Sequence, residues 1–275
     1  MRRCFWIPAV LLLIALHASA QDAISPIRGY ERGPGWQYVT FGSYPYEADG
    51  TESPVLWRVL AVEDGEALLF SEYVLDRQQA IFCDNQKDSE SRAFRRILDF
   101  ADSDLCAWMN DTMLTRMFDA ESAAVLKETR YGRIYPLTRE QYMTPEYGFR
   151  NAWDGVFKER QGYATPYARV AEVYPGTGSW VDGKKLYVDS EFGTSPHWAI
   201  YFKTEENGGA PSEDCIMLQL AGYDGHLSYG VYTRRDVGVR PAVTVDLGAC
   251  RILGGDGSKA DPYRLAPAAV TAENH

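Results

Sequence analysis

The chain has 275 residues, with 28 Lys and Arg against 38 Asp and Glu and a formal net charge of −10 at pH 7. That acidity argues against nucleic acid as a partner, because phosphates would repel it, and against adhesion to an anionic membrane surface. With 18 Tyr and 7 Trp, the chain has rings enough for a large mixed core or an aromatic surface, and its length suits one large domain.

Residues 1–20, MRRCFWIPAVLLLIALHASA, place Arg2 and Arg3 ahead of an apolar stretch from Phe5 to Leu16 and end in Ala18-Ser19-Ala20. A basic start, a short apolar run and an A-x-A site form a secretory signal peptide. The apolar run is too short to span a bilayer comfortably. Cleavage before Gln21 leaves a formal charge of −12 and an exported chain, periplasmic or extracellular, with no stable membrane insertion. Cys4 precedes the apolar run and Gln21 follows the cut, so a lipid-attached cysteine is not expected at the new terminus. Residues 21–35, polar and Gly/Pro-rich, read as a flexible leader. Residues 36–265 read as a single domain, and 266–275 as a disordered tail.

Within the domain, YVTFGSYPY (38–46) predicts a strand ending in a turn. PVLWRVLAVEDGEALLFSEYVL (54–75) predicts a hairpin around Glu63-Asp64-Gly65, since Asp-Gly between apolar runs is a strong turn signal. SDLCAWMNDTMLTRMF (103–118) predicts a helix capped by Ser103, with Leu105, Trp108, Met109, Met113 and Met117 on one face. Asp119 is placed to cap a second helix. Thr138 and Gln141 have capping-box spacing, and a further helix is predicted around 151–162. Residues 171–195 are loop-rich. HWAIYF (197–202), CIMLQLAG (215–222) and VRPAVTVDL (239–247) read as strands. Strands flanking a central helical section give an α+β class with a mostly antiparallel sheet.

Four cysteines remain after cleavage: Cys83, Cys106, Cys215 and Cys250. An even count in an exported chain predicts disulfides. Three connectivities exist, and joining nearest neighbours gives Cys83–Cys106 and Cys215–Cys250. No C-x-x-C spacing supports a metal or redox pair.

The ordered blocks VTFGSYP, PVLWRVLAVEDGEALLFSEYVLD, SDLCAWMNDTML, IYPLTREQY, ATPYA and VGVRPAVTVDL resemble the bacterial domain-of-unknown-function family numbered 6273. The resemblance runs from about Tyr38 to Arg264. That family in turn resembles the formylglycine-generating enzyme and C-type lectin folds. The resemblance implies a short twisted sheet, a few helices and long irregular loops, and it implies no activity. The chain departs from the family where HWAIYF, which has no arginine, replaces a paired-tryptophan WWLRS strand. It departs again at Cys106, where relatives often carry arginine, which suggests a disulfide of this lineage.

Enzyme chemistry finds little footing. The copper-binding oxidases of the formylglycine-generating type use a close cysteine pair, and Cys215 and Cys250 stand far apart. There is no G-x-S-x-G, and the mature chain offers only His197, His226 and terminal His275, too few for a marked zinc or hydrolase site. Carboxylate pairs for glycoside hydrolysis are not marked in the sequence. The loop TEENGGAPSED (204–214) supplies oxygen ligands for calcium, yet it lacks EF-hand spacing and reads first as a solvated acidic loop. The strongest binding feature is aromatic: Tyr174, Trp180, Tyr187 and Phe192 among Gly, Ser, Asp and Lys. Rings on the loops of a rigid scaffold suit stacking on sugars or gripping peptides; the alternative is that they cover the core. Trp57, Trp108 and Trp198 sit in apolar patterns and read as core.

Arg240, inside the strand VRPAVTVDL, needs a partner or a route to water. It reads as a structural residue with Glu140 as its anionic partner. The expectation is a non-enzymatic binding module without a resident cofactor, for a glycan, a cell-wall fragment or a cell-surface protein. The alternatives are an enzyme on the formylglycine-generating scaffold and a structural envelope protein.

Overall fold

In a computed structural model, the described residues are 25–79, 101, 104–138, 140–152, 157–170, 180–181, 184–185, 199–201, 217–221, 229–232 and 236–268. In chain order the strands are β1 Gln37–Pro45, β2 Glu52–Glu63, β3 Glu66–Ser71, β4 Asp76–Gln79, β5 Tyr135–Pro136, β6 Trp180–Val181, β7 Lys184–Lys185, β8 Ala199–Tyr201, β9 Met217–Ala221, β10 Tyr229–Tyr232, β11 Asp236–Val239, β12 Pro241–Asp246, β13 Cys250–Ile252 and β14 Tyr263–Pro267. The α-helices are short: α1 Asp104–Trp108, α2 Leu114–Met117, α3 Ala120–Ala124 and α4 Pro166–Val170. The class is α+β.

The main sheet runs β13-β14-β1-β2-β3-β12-β5. Every neighbouring pair in it is antiparallel except β1 with β14. The β2–β3 hairpin turns on Asp64 (φ 50°) and Gly65 (φ 80°). Two successive left-handed residues match the twist of the flanking strands, so the Asp-Gly signal was sufficient. Pro241 opens β12 with Pro136 opposite it. A strand's first position tolerates a residue that cannot donate to the ladder.

The predicted helix at 103–118 forms from Asp104 onward but is not uniform. Met109–Met113 is a π turn between α1 and α2. The reason lies in the apolar spacing: Leu105, Met109, Met113 and Met117 recur every four residues. On a 3.6-residue helix such a stripe drifts by about 40° per step, and an i→i+5 turn takes up the drift. All four are buried, while Trp108 is half-buried against the same core. Asp119 caps α3 by accepting from the Ser122 N–H at 2.7 Å. The capping box forms in both directions: Thr138 N–H donates to Gln141 Oε1 at 2.8 Å, and Gln141 N–H to Thr138 Oγ at 3.2 Å. It starts only a 3₁₀ turn, Gln141–Met143. Of the helix expected around 151–162, the described part holds one 3₁₀ turn, Lys158–Arg160.

Two boundaries move. Within the expected leader, Ile27 is buried and the Tyr30 N–H donates to Leu60 O at 3.1 Å. Leu60 is the residue skipped by the β2–β3 ladder between Val59 and Ala61, so a β-bulge frees its carbonyl for this contact. At the start of the expected tail, Ala266 and Pro267 belong to β14 and pair with Arg251 and Cys250. Among the described residues no helix is long and apolar enough to cross a membrane.

Candidate functional site

Two constellations stand out: a buried arginine cluster and a tyrosine cleft. The cleft begins with a glycine. Val39 and Phe41 of β1 face the core by strand alternation, which would place Ser43 there next. A register shift between Thr40 and Ser43 turns Tyr44 inward instead, leaving it 2% exposed. Gly42 makes this possible at φ +70°; a Cβ there would meet the Phe118 ring at 2.6 Å. Such bulges re-aim side chains.

Tyr44 then donates its hydroxyl to buried Asp76 at 2.5 Å. Asp76 also accepts from its neighbour's backbone, Arg77 N–H, at 2.6 Å. Burial raises the Asp76 carboxyl above the usual range, and the hydrogen bonds from Tyr44 and Arg77 only partly oppose it. Beside this pair opens a cleft of about 140 Å³ lined by Tyr44, Pro45, Tyr46, Ser53, Leu56 and Tyr73, among others. The Tyr46 and Tyr73 rings meet edge-to-face at 5.9 Å. Helix α4 braces the wall through the Tyr167 N–H, which donates to Tyr46 O at 2.8 Å. Arg116 lies over Tyr44 and Tyr167, 5.4 and 5.2 Å from their ring centres. Glu47 supplies a carboxylate at the mouth, where it is exposed. The result is a fixed, half-open slot of ring faces and prolines with polar groups at its rim.

The arginine cluster lies deeper. Arg58 projects from β2, donates through Nε to Glu72, and donates through Nη1 to Glu159 O at 2.6 Å. Its guanidinium covers Trp36 at 4.5 Å. Arg160 is fully buried and donates to the carbonyls of Tyr142 at 3.0 Å and Ala152 at 2.8 Å. Arg240 is 1% exposed. It donates through Nε to Ser71 O at 2.7 Å and through Nη1 to Arg160 O at 2.9 Å, and it lies 4.1 Å over Phe70. Glu72 accepts from Lys259 as well, at 2.6 Å. Burial alone would raise the Glu72 carboxyl, but Arg58, Arg240 and Lys259 outweigh it and hold the group below the ordinary range.

The expected Arg240–Glu140 pair does not form: Glu140 is exposed, whereas Arg240 spends its bonds on buried carbonyls. Irregular segments leave carbonyls that no ladder satisfies, and the forked donors of arginine reach several at once. Sequence reading missed Arg58 and Arg160. Arg58 was legible as a charge within PVLWRVLAV; Arg160, in a polar stretch, carries no such signal.

Trp57 is fully buried, with its indole N–H donating to Phe41 O at 2.8 Å. Trp180 belongs to β6, but its side chain, like Tyr174, Tyr187, Phe192 and Trp198, lies outside the described residues. So do the acidic loop 204–214, His197, His226, Cys83 and Cys215. Cys106 is buried with Sγ 3.3 Å from Tyr131 O. Cys250 is a half-buried free thiol whose pKa burial pushes up to about 11. Among the described residues no three His, Cys, Asp or Glu side chains gather to hold a metal. No protein-family model matches the chain, and neither the curated proteins nor the solved structures contain a match to it.

Proposed function

We propose that the chain is an exported, non-enzymatic binding module whose ligand is a glycan or cell-wall fragment, seated in the tyrosine cleft. The observation that carries this is the cleft itself. Tyr46 and Tyr73 stand as fixed rings beside Pro45 and Pro54, with Ser53 and Glu47 at the rim. Sugars present C–H faces that stack on rings and hydroxyls that bond to rim groups. Rigid walls reduce the ordering cost of binding.

Calorimetric titration of the purified chain with cell-wall saccharide fragments and neutral oligosaccharides tests it. Binding is expected, with at least a tenfold loss for Tyr46→Ala and Tyr73→Ala in variants that still unfold in one cooperative transition. Equal affinity in both variants would move the site elsewhere, first to Tyr174, Trp180, Tyr187 and Phe192. Turnover of any saccharide would favour the enzyme reading.

A further inference from the structure

The arginine cluster is not balanced. Glu72 already accepts from Arg58 and from Lys259. Among the described residues Arg240 therefore donates to no carboxylate, and the carbonyls of Ser71 and Arg160 that it reaches are neutral. Its third nitrogen, Nη2, is buried with no hydrogen-bond partner among the described residues, and the hydroxyl of Tyr142 is in the same condition. Tyr142 is 0% exposed and Arg240 1%. Both flank one ring: the guanidinium lies 4.1 Å over Phe70, and Tyr142 meets Phe70 edge-to-face at 5.6 Å. Gly162 closes the other side, since a Cβ there would stand 2.7 Å from Arg240 Nη1. The fork is thus held in place.

From this geometry we infer a buried binding site for a halide-sized monovalent anion, held by Arg240 Nη2 with the Tyr142 hydroxyl as second donor. Arginine keeps its charge here. Burial and the neighbouring Arg58 push its pKa down to about 10, still far above neutral pH. A buried charge requires a counter-charge, and buried unpartnered donors in native proteins mark an ion or a water. A water would satisfy the two donors but leave the net positive charge. A single-atom anion does both, and one guanidinium nitrogen with one hydroxyl, both buried and both packed against Phe70, offer too few donors for a polyatomic oxyanion with several acceptors.

The test uses the whole purified chain at fixed ionic strength in sodium chloride, sodium bromide and sodium gluconate. The melting temperature is expected to rise saturably with chloride and bromide, by mass action, and not with gluconate. Tyr142→Phe removes a hydroxyl that bonds to no group among the described residues, so it is expected to fold and to weaken the apparent halide affinity at least threefold. Crystals grown in bromide should show an anomalous peak beside Arg240 Nη2. Equal melting in all three salts, or a peak there without anomalous signal, would overturn the inference, the latter by identifying a water.

Discussion

At the scale of single residues, buried charge governs this protein. Arg240→Ala removes two hydrogen bonds to buried carbonyls and opens a cavity beside Phe70. The expected cost is about 2–5 kcal/mol, or roughly 5–15 °C for a chain of this size. Arg240→Lys should recover only part, since an ammonium lacks the fork; thermal melts of both variants check this. Asp76 and Glu72 respond to pH in opposite senses. The folded pKa of Asp76 lies above the ordinary value, so its protonated form favours folding, and that contribution fades as pH rises through the raised value. The folded pKa of Glu72 lies below the ordinary value, so its contribution is present above the ordinary glutamate range and is lost as pH falls through the depressed value. Melting curves across pH should show Glu72→Gln with a lower neutral melting temperature and a weaker loss on acidification. Asp76→Asn should lose the component that declines as pH rises.

Among the elements, the π turn at Met109–Met113 depends on Asn110. Its Nδ2 lies within hydrogen-bond reach of the carbonyls of Cys106, Tyr131 and Ile134 at 3.0, 2.9 and 3.1 Å. Its Oδ1 accepts from the N–H groups of Arg133 and Ile134 at 2.8 and 3.2 Å. One amide thus ties the helix to the 131–134 turn, and Gly132 must be glycine because a Cβ would meet Asn110 Oδ1 at 2.1 Å. Asn110→Ala strands several backbone groups, and denaturant unfolding should show a loss of about 2–4 kcal/mol. A second element-scale expectation concerns 25–35. Tyr30 meets Trp36, and Trp36 meets Phe149, with tilted rings at 5.5 and 6.2 Å, while Ile27 joins the core. A chain beginning at residue 36 should melt several degrees lower than one beginning at Gln21.

For the molecule as a whole, export and binding are the functional claims. N-terminal sequencing of the secreted protein is expected to start at Gln21; a chain retaining Met1 would refute cleavage after Ala20. The β1–β2–β3–β12 strands give a sheet base, and arginine donors bind the carbonyls of Tyr142, Ala152, Glu159 and Arg160 beside it. Binding sites on such proteins use loops and edges placed by a rigid scaffold, and the cleft lies where β1, β2 and the β3–β4 connection meet.

The local signals in the sequence determined the elements that local chemistry controls. Asp64-Gly65 set the hairpin, Asp119 and the Thr138–Gln141 pair set their caps, and the alternation in the long strands set the antiparallel α+β class. Tertiary structure alone decided what depends on residues far apart in the chain. The four-residue methionine spacing became a π turn through packing on the sheet. Ile27 joined the core and Tyr30 docked on the sheet because a bulge at Leu60 offered a carbonyl. Arg240 found carbonyls at Ser71 and Arg160 instead of Glu140, because a fork at that depth takes whatever buried acceptors surround it. The tyrosine cleft was hidden for the same reason: Tyr44, Tyr46 and Tyr73 come together only when β1, β2 and β3 pair in register, and no local pattern encodes that pairing.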